Sequence, residues 1–182
     1  EVMAGFGRTG KWFAVDHWDV VPDIITVAKG INSGYVPLGA MIMRKPIADW
    51  VQDRFFAGGL TYSGHPLACA SAVASIEIFR DEGVVENAAA MGEWFGPTLA
   101  GLQERHPSIG EVRGLGSMIA AEWVDPLTRA PRADLARAVQ QAALARGLLL
   151  LTCGQYGNVI RFLYPLTIPA EQFDQALSIL DD

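Results

Sequence analysis

Lys29 is one of only three lysines in this sequence, and its setting suggests chemistry. It follows the apolar, β-branched run D-I-I-T-V-A (Asp23 to Ala28) and precedes Gly30. That run reads as a strand, and α/β sheets bind ligands beyond the carboxyl ends of their strands. A lysine there is partly desolvated, which lowers its pKa and frees the amine as a nucleophile for a Schiff base. The alternative is a lysine whose head reaches solvent along its apolar stem. Thr61 lies in the loop G-G-L-T-Y-S-G-H-P (Gly58 to Pro66). Hydroxyls and exposed N–H groups in such a loop suit a phosphate, or simply close a turn. Arg161 sits within N-V-I-R-F-L-Y-P, a strand without a plainly polar face. An arginine there needs an anion, either a substrate carboxylate held bidentately or a structural Asp or Glu.

One pattern points elsewhere. Gly5 to Gly10 spell G-x-G-x-x-G, the fingerprint of a dinucleotide-binding loop. That loop must follow a strand and open a helix, because the helix N-terminus holds the pyrophosphate. Only Glu1 to Ala4 precede it, and Lys11, Trp12, Phe13 and Asp16 to Asp19 open no obvious helix. The segment therefore reads as a glycine-rich loop packed close to other backbone.

These residues need elements to position them. Asp23 to Ala28 and Gly39 to Met43 read as strands buried on both faces of a parallel sheet. Ile47 to Val51 reads as a short helix after Pro46. An alanine-rich helix over Leu67 to Asp81 places Val73, Ile76 and Phe79 near one face and ends at Gly83. A long amphipathic helix spans residues 84–105, with Pro97 as a kink site and Pro107 as its stop. Ile109 to Val124 reads as one or two strands. Ala133 to Arg146 is a helix capped by Gly147. Leu148 to Leu151 and Asn158 to Leu163 read as strands, and Ala170 to Leu180 as the last helix. The expected organisation is an α/β large-domain portion over residues 1–106 and a small C-terminal α+β domain over 107–182.

Composition sets outer limits. About half of the 182 residues are apolar, enough for a core, and the net charge is −6. An acidic chain argues against nucleic acid, and no apolar run reaches membrane-spanning length. Cys69 and Cys153 read as buried free thiols, with one disulfide left open, and no His/Cys cluster has zinc-site spacing. With no recognisable targeting segment, the expected compartment is cytoplasmic.

Taken together, A-K-G, P-L-G-A and T-Y-S-G-H-P-L-A resemble the class III aminotransferases, which depend on pyridoxal 5'-phosphate. The resemblance runs along the whole chain. The tail, R-G-L-L-L-L-T-C-G-Q-Y-G-N-V-I-R-F-L-Y-P, is most similar to the 4-aminobutyrate branch, and the front half to ω-amino acid:pyruvate transaminases. It implies part of a type I PLP-transferase large domain, with a parallel or mixed sheet. Lys29 would form the Schiff base, and Thr61 would contact the cofactor phosphate from the neighbouring subunit of a homodimer or larger homo-oligomer. Val2 would pack on the pyridine ring, and Arg161 would bind the substrate carboxylate. The substrates would be an amine, such as an ω-amino acid, and a keto acid. Family members are longer. Their motif reads Asp-Glu-Val, and this sequence begins at the Glu. The Asp that pairs with the pyridinium nitrogen and the phosphate loop of the N-terminal half are thus outside these residues. Met3 stands where 4-aminobutyrate enzymes have a Gln, and it donates no hydrogen bond to the ring hydroxyl. Two other readings stay open: a truncated, non-catalytic remnant that self-associates or only binds cofactor, and a piece of a longer enzyme.

Overall fold

The structure is a computed structural model, and it describes residues 1–181. The chain divides into two compact units, Glu1–Glu86 and Asn87–Asp182.

The first unit begins with a run of turns through the glycine-rich segment and a 3-10 turn, Ala14–Trp18. Strand β1, Ile24–Val27, pairs with β2, Ala40–Met43, in the register Ile24 to Met43 through Val27 to Ala40. The pairing is antiparallel, which corrects the expected parallel arrangement. An apolar run signals burial without fixing strand direction, and the chain returns here through a 3-10 turn, Lys29–Ile31, and a loop. Burial is also less than expected, since Ile24 is 48% exposed and only Val27 of β1 is buried. Helix α1, Lys45–Gln52, has Pro46 in its first turn, where the missing N–H costs nothing. Lys45 pairs with Asp49 one turn later, at 2.7 Å.

Helix α2, Pro66–Asp81, begins at a proline and buries Ala68, Ala72, Ser75 and Phe79. That stripe follows the helical period. It differs from the expected one: Val73 and Ile76 face outward, because the small alanines allow close packing. The helix packs on the turn at Lys29–Ile31. Trp12 stacks obliquely on Phe79, with ring centroids 6.2 Å apart.

In the second unit, four strands form one antiparallel sheet in the order β3-β4-β6-β5: β3 is Ile109–Leu115, β4 Met118–Trp123, β5 Leu151–Cys153 and β6 Val159–Phe162. Helix α3, Val84–Arg105, starts at the end of the first unit, and α4, Ala133–Ala145, and α5, Ala170–Asp181, follow. Phe95, Leu99 and Leu102 of α3, Ala136 and Ala143 of α4 and Phe173 of α5 join Ile119, Ala121, Ile160 and Phe162 of the sheet in one core. Phe95 is its centre, edge-on to Phe162 at 5.1 Å and to Phe173 at 4.9 Å. With α3 packed on this core, the division falls within the first turn of the helix, after Glu86. The helix runs on through Pro97. Where α3 meets the β3–β4 turn, a side chain on Gly92 would overlap the Gly116 backbone, so the approach requires glycine. Strand β5 starts later than the leucine run, since Leu148 and Leu150 pack into the core without joining the ladder. Both cysteines are free, and neither is buried as expected: Cys69 is exposed and Cys153 half-buried.

Candidate functional site

The site is built on the turn after β1. Lys29 has φ +47°, in the left-handed region that a side chain with a Cβ rarely occupies. Such a backbone costs of order 1 kcal/mol or more and persists only where its surroundings fix it. The flanks do so here. Val27 and Ile31 on either side are buried. A Cβ on Gly30 would lie 2.7 Å from the Cβ of Phe6, so only glycine lets the Phe6 ring seat beside Lys29.

This gives the glycine-rich segment its role. Phe6 and Gly7 donate their N–H groups to the Trp12 carbonyl, at 2.7 and 3.4 Å, closing a compact loop. The ring of Phe6 meets Phe13 edge-on at 5.6 Å. His17 Nε2 lies 3.0 Å from the Thr9 carbonyl oxygen and ties the far end of the loop. The Gly5–Gly10 pattern is thus a packing device against the Lys29 turn. No helix begins at it, which removes the dinucleotide reading.

The residues before it run beside β1. The Glu1 backbone nitrogen donates to the Thr26 carbonyl at 2.9 Å, and Gly5 N–H donates to the Glu1 carbonyl at 3.1 Å. Val2 and Met3 therefore stand next to the strand that leads into the Lys29 turn. Val2 is exposed and Met3 half-buried.

Lys29 itself is exposed. The burial expected for it is not met: among the described residues the sheet of this unit is the two-stranded β1–β2 pair, and the Lys29 side chain stays exposed. The amine is nonetheless distinct from the other two. Lys11 Nζ donates to the Asp16 carbonyl at 2.8 Å, and Lys45 Nζ pairs with Asp49. Among the described residues, Lys29 makes no hydrogen bond or ion pair through its side chain.

Thr61 lies in an exposed turn held by Ser63, whose Oγ accepts the Leu60 N–H at 2.9 Å. No hydrogen bond joins Thr61 to Lys29. Leu60 and Tyr62 on either side of it, both at least 80% exposed, and Phe55 earlier in the same stretch, 95% exposed, leave apolar surface bare.

Arg161 belongs to the second unit. It occupies β6 opposite Ala120 of β4 and Leu151 of β5. Ile160 and Phe162 on either side enter the core, so alternation turns Arg161 to the other face of the sheet. Ala120 separates it from Arg113 in the same row. Arg113 is neutralised by Glu111 and Glu122, at 2.8 and 3.2 Å.

Asn32 escaped the sequence reading. It is 1% exposed, donates from Nδ2 to the Val36 carbonyl, and accepts the Gly34 N–H at Oδ1 at 3.2 Å. Its signal was the N-S-G tripeptide just after the lysine, since asparagine side chains close turns on the backbone two residues on.

Comparison with known proteins extends this picture. The family described as Aminotransferase class-III matches residues 1–182. The 5-aminovalerate aminotransferase DavT of Pseudomonas putida is 41% identical over 182 residues, covering 100% of this chain and 42% of that protein. The 4-aminobutyrate aminotransferase GabT of Escherichia coli is 40% identical over 181 residues, covering 99% and 42%. Among solved structures, taurine:2-oxoglutarate aminotransferase from Bifidobacterium kashiwanohense, in complex with PLP and glutamate, superposes with a TM-score of 0.91 at 38% identity, covering 100% of this chain and 42% of that one. The chain therefore spans about 42% of the length of these relatives.

Proposed function

We propose, since this chain belongs to the aminotransferase class-III family, that it carries the lysine-bearing part of a pyridoxal-phosphate-dependent transaminase. The reaction would move an amino group from an ω-amino acid or primary amine to a keto acid, pyruvate or 2-oxoglutarate. The observation that carries this reading is Lys29: a lysine without a side-chain partner, in a left-handed turn fixed by Phe6, Gly30 and Ile31.

The residues fit the cofactor by their chemistry. A primary amine that no acid engages suits an aldehyde. The Thr61 hydroxyl in its exposed turn suits a phosphate. When bound, pyridoxal phosphate supplies an electron-withdrawing ring that stabilises negative charge at the substrate carbon. Lys29 would hold the aldehyde through Nζ, and its free amine, placed beside the substrate carbon, would serve as the base that accepts a proton at Nζ. Val2 lends the ring an apolar face, with Met3 beside it in place of a hydrogen-bond donor. Arg161 orients the substrate by gripping its carboxylate with two parallel N–H bonds. Thr61 acts across a homodimer, from the neighbouring copy. A cytoplasmic location accords with two free thiols.

The test is an absorbance spectrum with added pyridoxal phosphate. The wild-type chain develops an imine band that an amine donor bleaches and pyruvate restores, and Lys29→Ala does not. An equal band in Lys29→Ala refutes the assignment.

A second reading rests on the apolar surface at Phe55, Leu60 and Tyr62. It takes the chain as a non-catalytic form that self-associates through that face. Sedimentation with and without cofactor, beside the turnover assay, separates the two: association without turnover favours the second.

A further inference from the structure

We propose that Asn32 is the positioning residue for the Lys29 amine, an inference that rests on the assignment of Lys29 above. Lys29 is exposed and its side chain has no hydrogen-bond or ion-pair partner among the described residues, so its own contacts cannot fix where Nζ stands. The direction of its Cα–Cβ bond can. That direction is set by the left-handed backbone at Lys29 and by the 3-10 turn that follows, Lys29–Ile31.

Asn32 closes this turn with every group it has. Its N–H donates to the Lys29 carbonyl at 3.4 Å. Its carbonyl accepts the Tyr35 N–H at 3.2 Å. Oδ1 accepts the Gly34 N–H, and Nδ2 donates to the Val36 carbonyl. One buried side chain thus ties the lysine turn to the whole of the next loop. Buried amide groups with matched partners give a site a single geometry, and removing one partner leaves the others unsatisfied. Ser33, at φ +56°, and Gly34, at φ +78°, are held left-handed by the same bonds. Gly34 adds no packing of its own, since a Cβ there would meet no atom within 4 Å, so the side-chain amide is the main tie beyond the backbone bonds.

A merely structural residue would change stability alone. A positioning residue changes the rate at which Lys29 captures an aldehyde, because small misplacement of a reacting group costs far more in rate than in stability. The experiment measures the Lys29-dependent rate of imine formation with pyridoxal phosphate across pH, taken as the difference from Lys29→Ala. It compares wild type, Asn32→Ala and Asn32→Ser, with thermal unfolding recorded for each. Asn158→Ala is the control, since Asn158 is equally buried and bonds the Trp123 carbonyl in the other unit.

Asn32→Ala is expected to lower the rate by about tenfold and to shift its pH profile, while Asn158→Ala leaves both unchanged. Asn32→Ser, which keeps a short acceptor and loses the donor to Val36, falls between. An unchanged rate and profile in folded Asn32→Ala overturns the proposal. Unfolding of both Asn32 variants overturns it too, by making Asn32 a stability residue. A wild-type chain with no Lys29-dependent rate defeats the lysine assignment instead, and that result is distinct from the others.

Discussion

The two units solve the burial problem in different ways. The second covers one face of its sheet with α3, α4 and α5, and Phe95 and Ile160 are almost fully enclosed. The first carries Lys29, yet leaves Phe55, Leu60, Tyr62 and Tyr35 largely bare, and its sheet has two strands. One unit is organised around its own core, the other around a loop with apolar surface turned outward. The proposed lysine falls on the less buried of the two, where a strained turn is fixed locally by Phe6, Gly30 and Asn32 rather than by bulk packing.

That contrast is sharpest at two phenylalanines. Phe95→Ala should cost about 3–5 kcal/mol, through lost burial and the cavity left behind. Phe55→Ala should change stability by no more than about 0.5 kcal/mol. Chemical denaturation checks both. A comparable loss at Phe55 would mean that the apolar loop is covered in solution, and the contrast between the units would narrow to one of partners.

The next effect concerns glycines of α3. Alanine favours an exposed helix over glycine by about 1 kcal/mol, so Gly101→Ala, with open space around it, should stabilise. Gly92→Ala should destabilise by about 1–3 kcal/mol, because its Cβ would overlap the Gly116 backbone. Opposite signs in thermal unfolding are expected. The same sign at both positions would show that the α3 contact with the β3–β4 turn yields.

The smallest effect is electrostatic. Arg132 donates two hydrogen bonds to Asp134, at 2.8 and 2.6 Å, and holds its carboxyl down to about 2. A carboxylate with a depressed folded-state pKa adds stability above its unfolded value and loses it as pH falls through the folded one. The loss should therefore run from about pH 4 to about pH 2. Arg132→Ala should flatten that part of the melting-temperature profile slightly, since the pair is exposed.

Much of this architecture was legible in the sequence. Pro66 and Gly83 bracket α2, and Gly147 marks the end of α4, because a proline opens a helix and a glycine leaves it through left-handed backbone. The direction of β1 was not legible: a run of Ile and Val records burial tendency, and only the return path through Lys29–Ile31 decides the pairing. The outward turn of Arg161 was hidden because Val159, on its own side, is as apolar as the core residues Ile160 and Phe162. At the site, Lys29 was recognisable from its place after a strand. Its exposure was not, since what covers a side chain is set by distant segments. Asn32 was overlooked because a turn-forming asparagine and a buried clamp look alike until the Val36 carbonyl is placed beside it.

The central claim is that one amine, at position 29, receives the aldehyde. The direct measurement is to incubate the chain with limiting pyridoxal phosphate, reduce with borohydride and map the modified peptide by mass spectrometry. The account predicts the adduct on Lys29, with Lys11 and Lys45 unmodified because each is already engaged. An adduct spread evenly over the three lysines, or found on Lys11 or Lys45 instead, would contradict it.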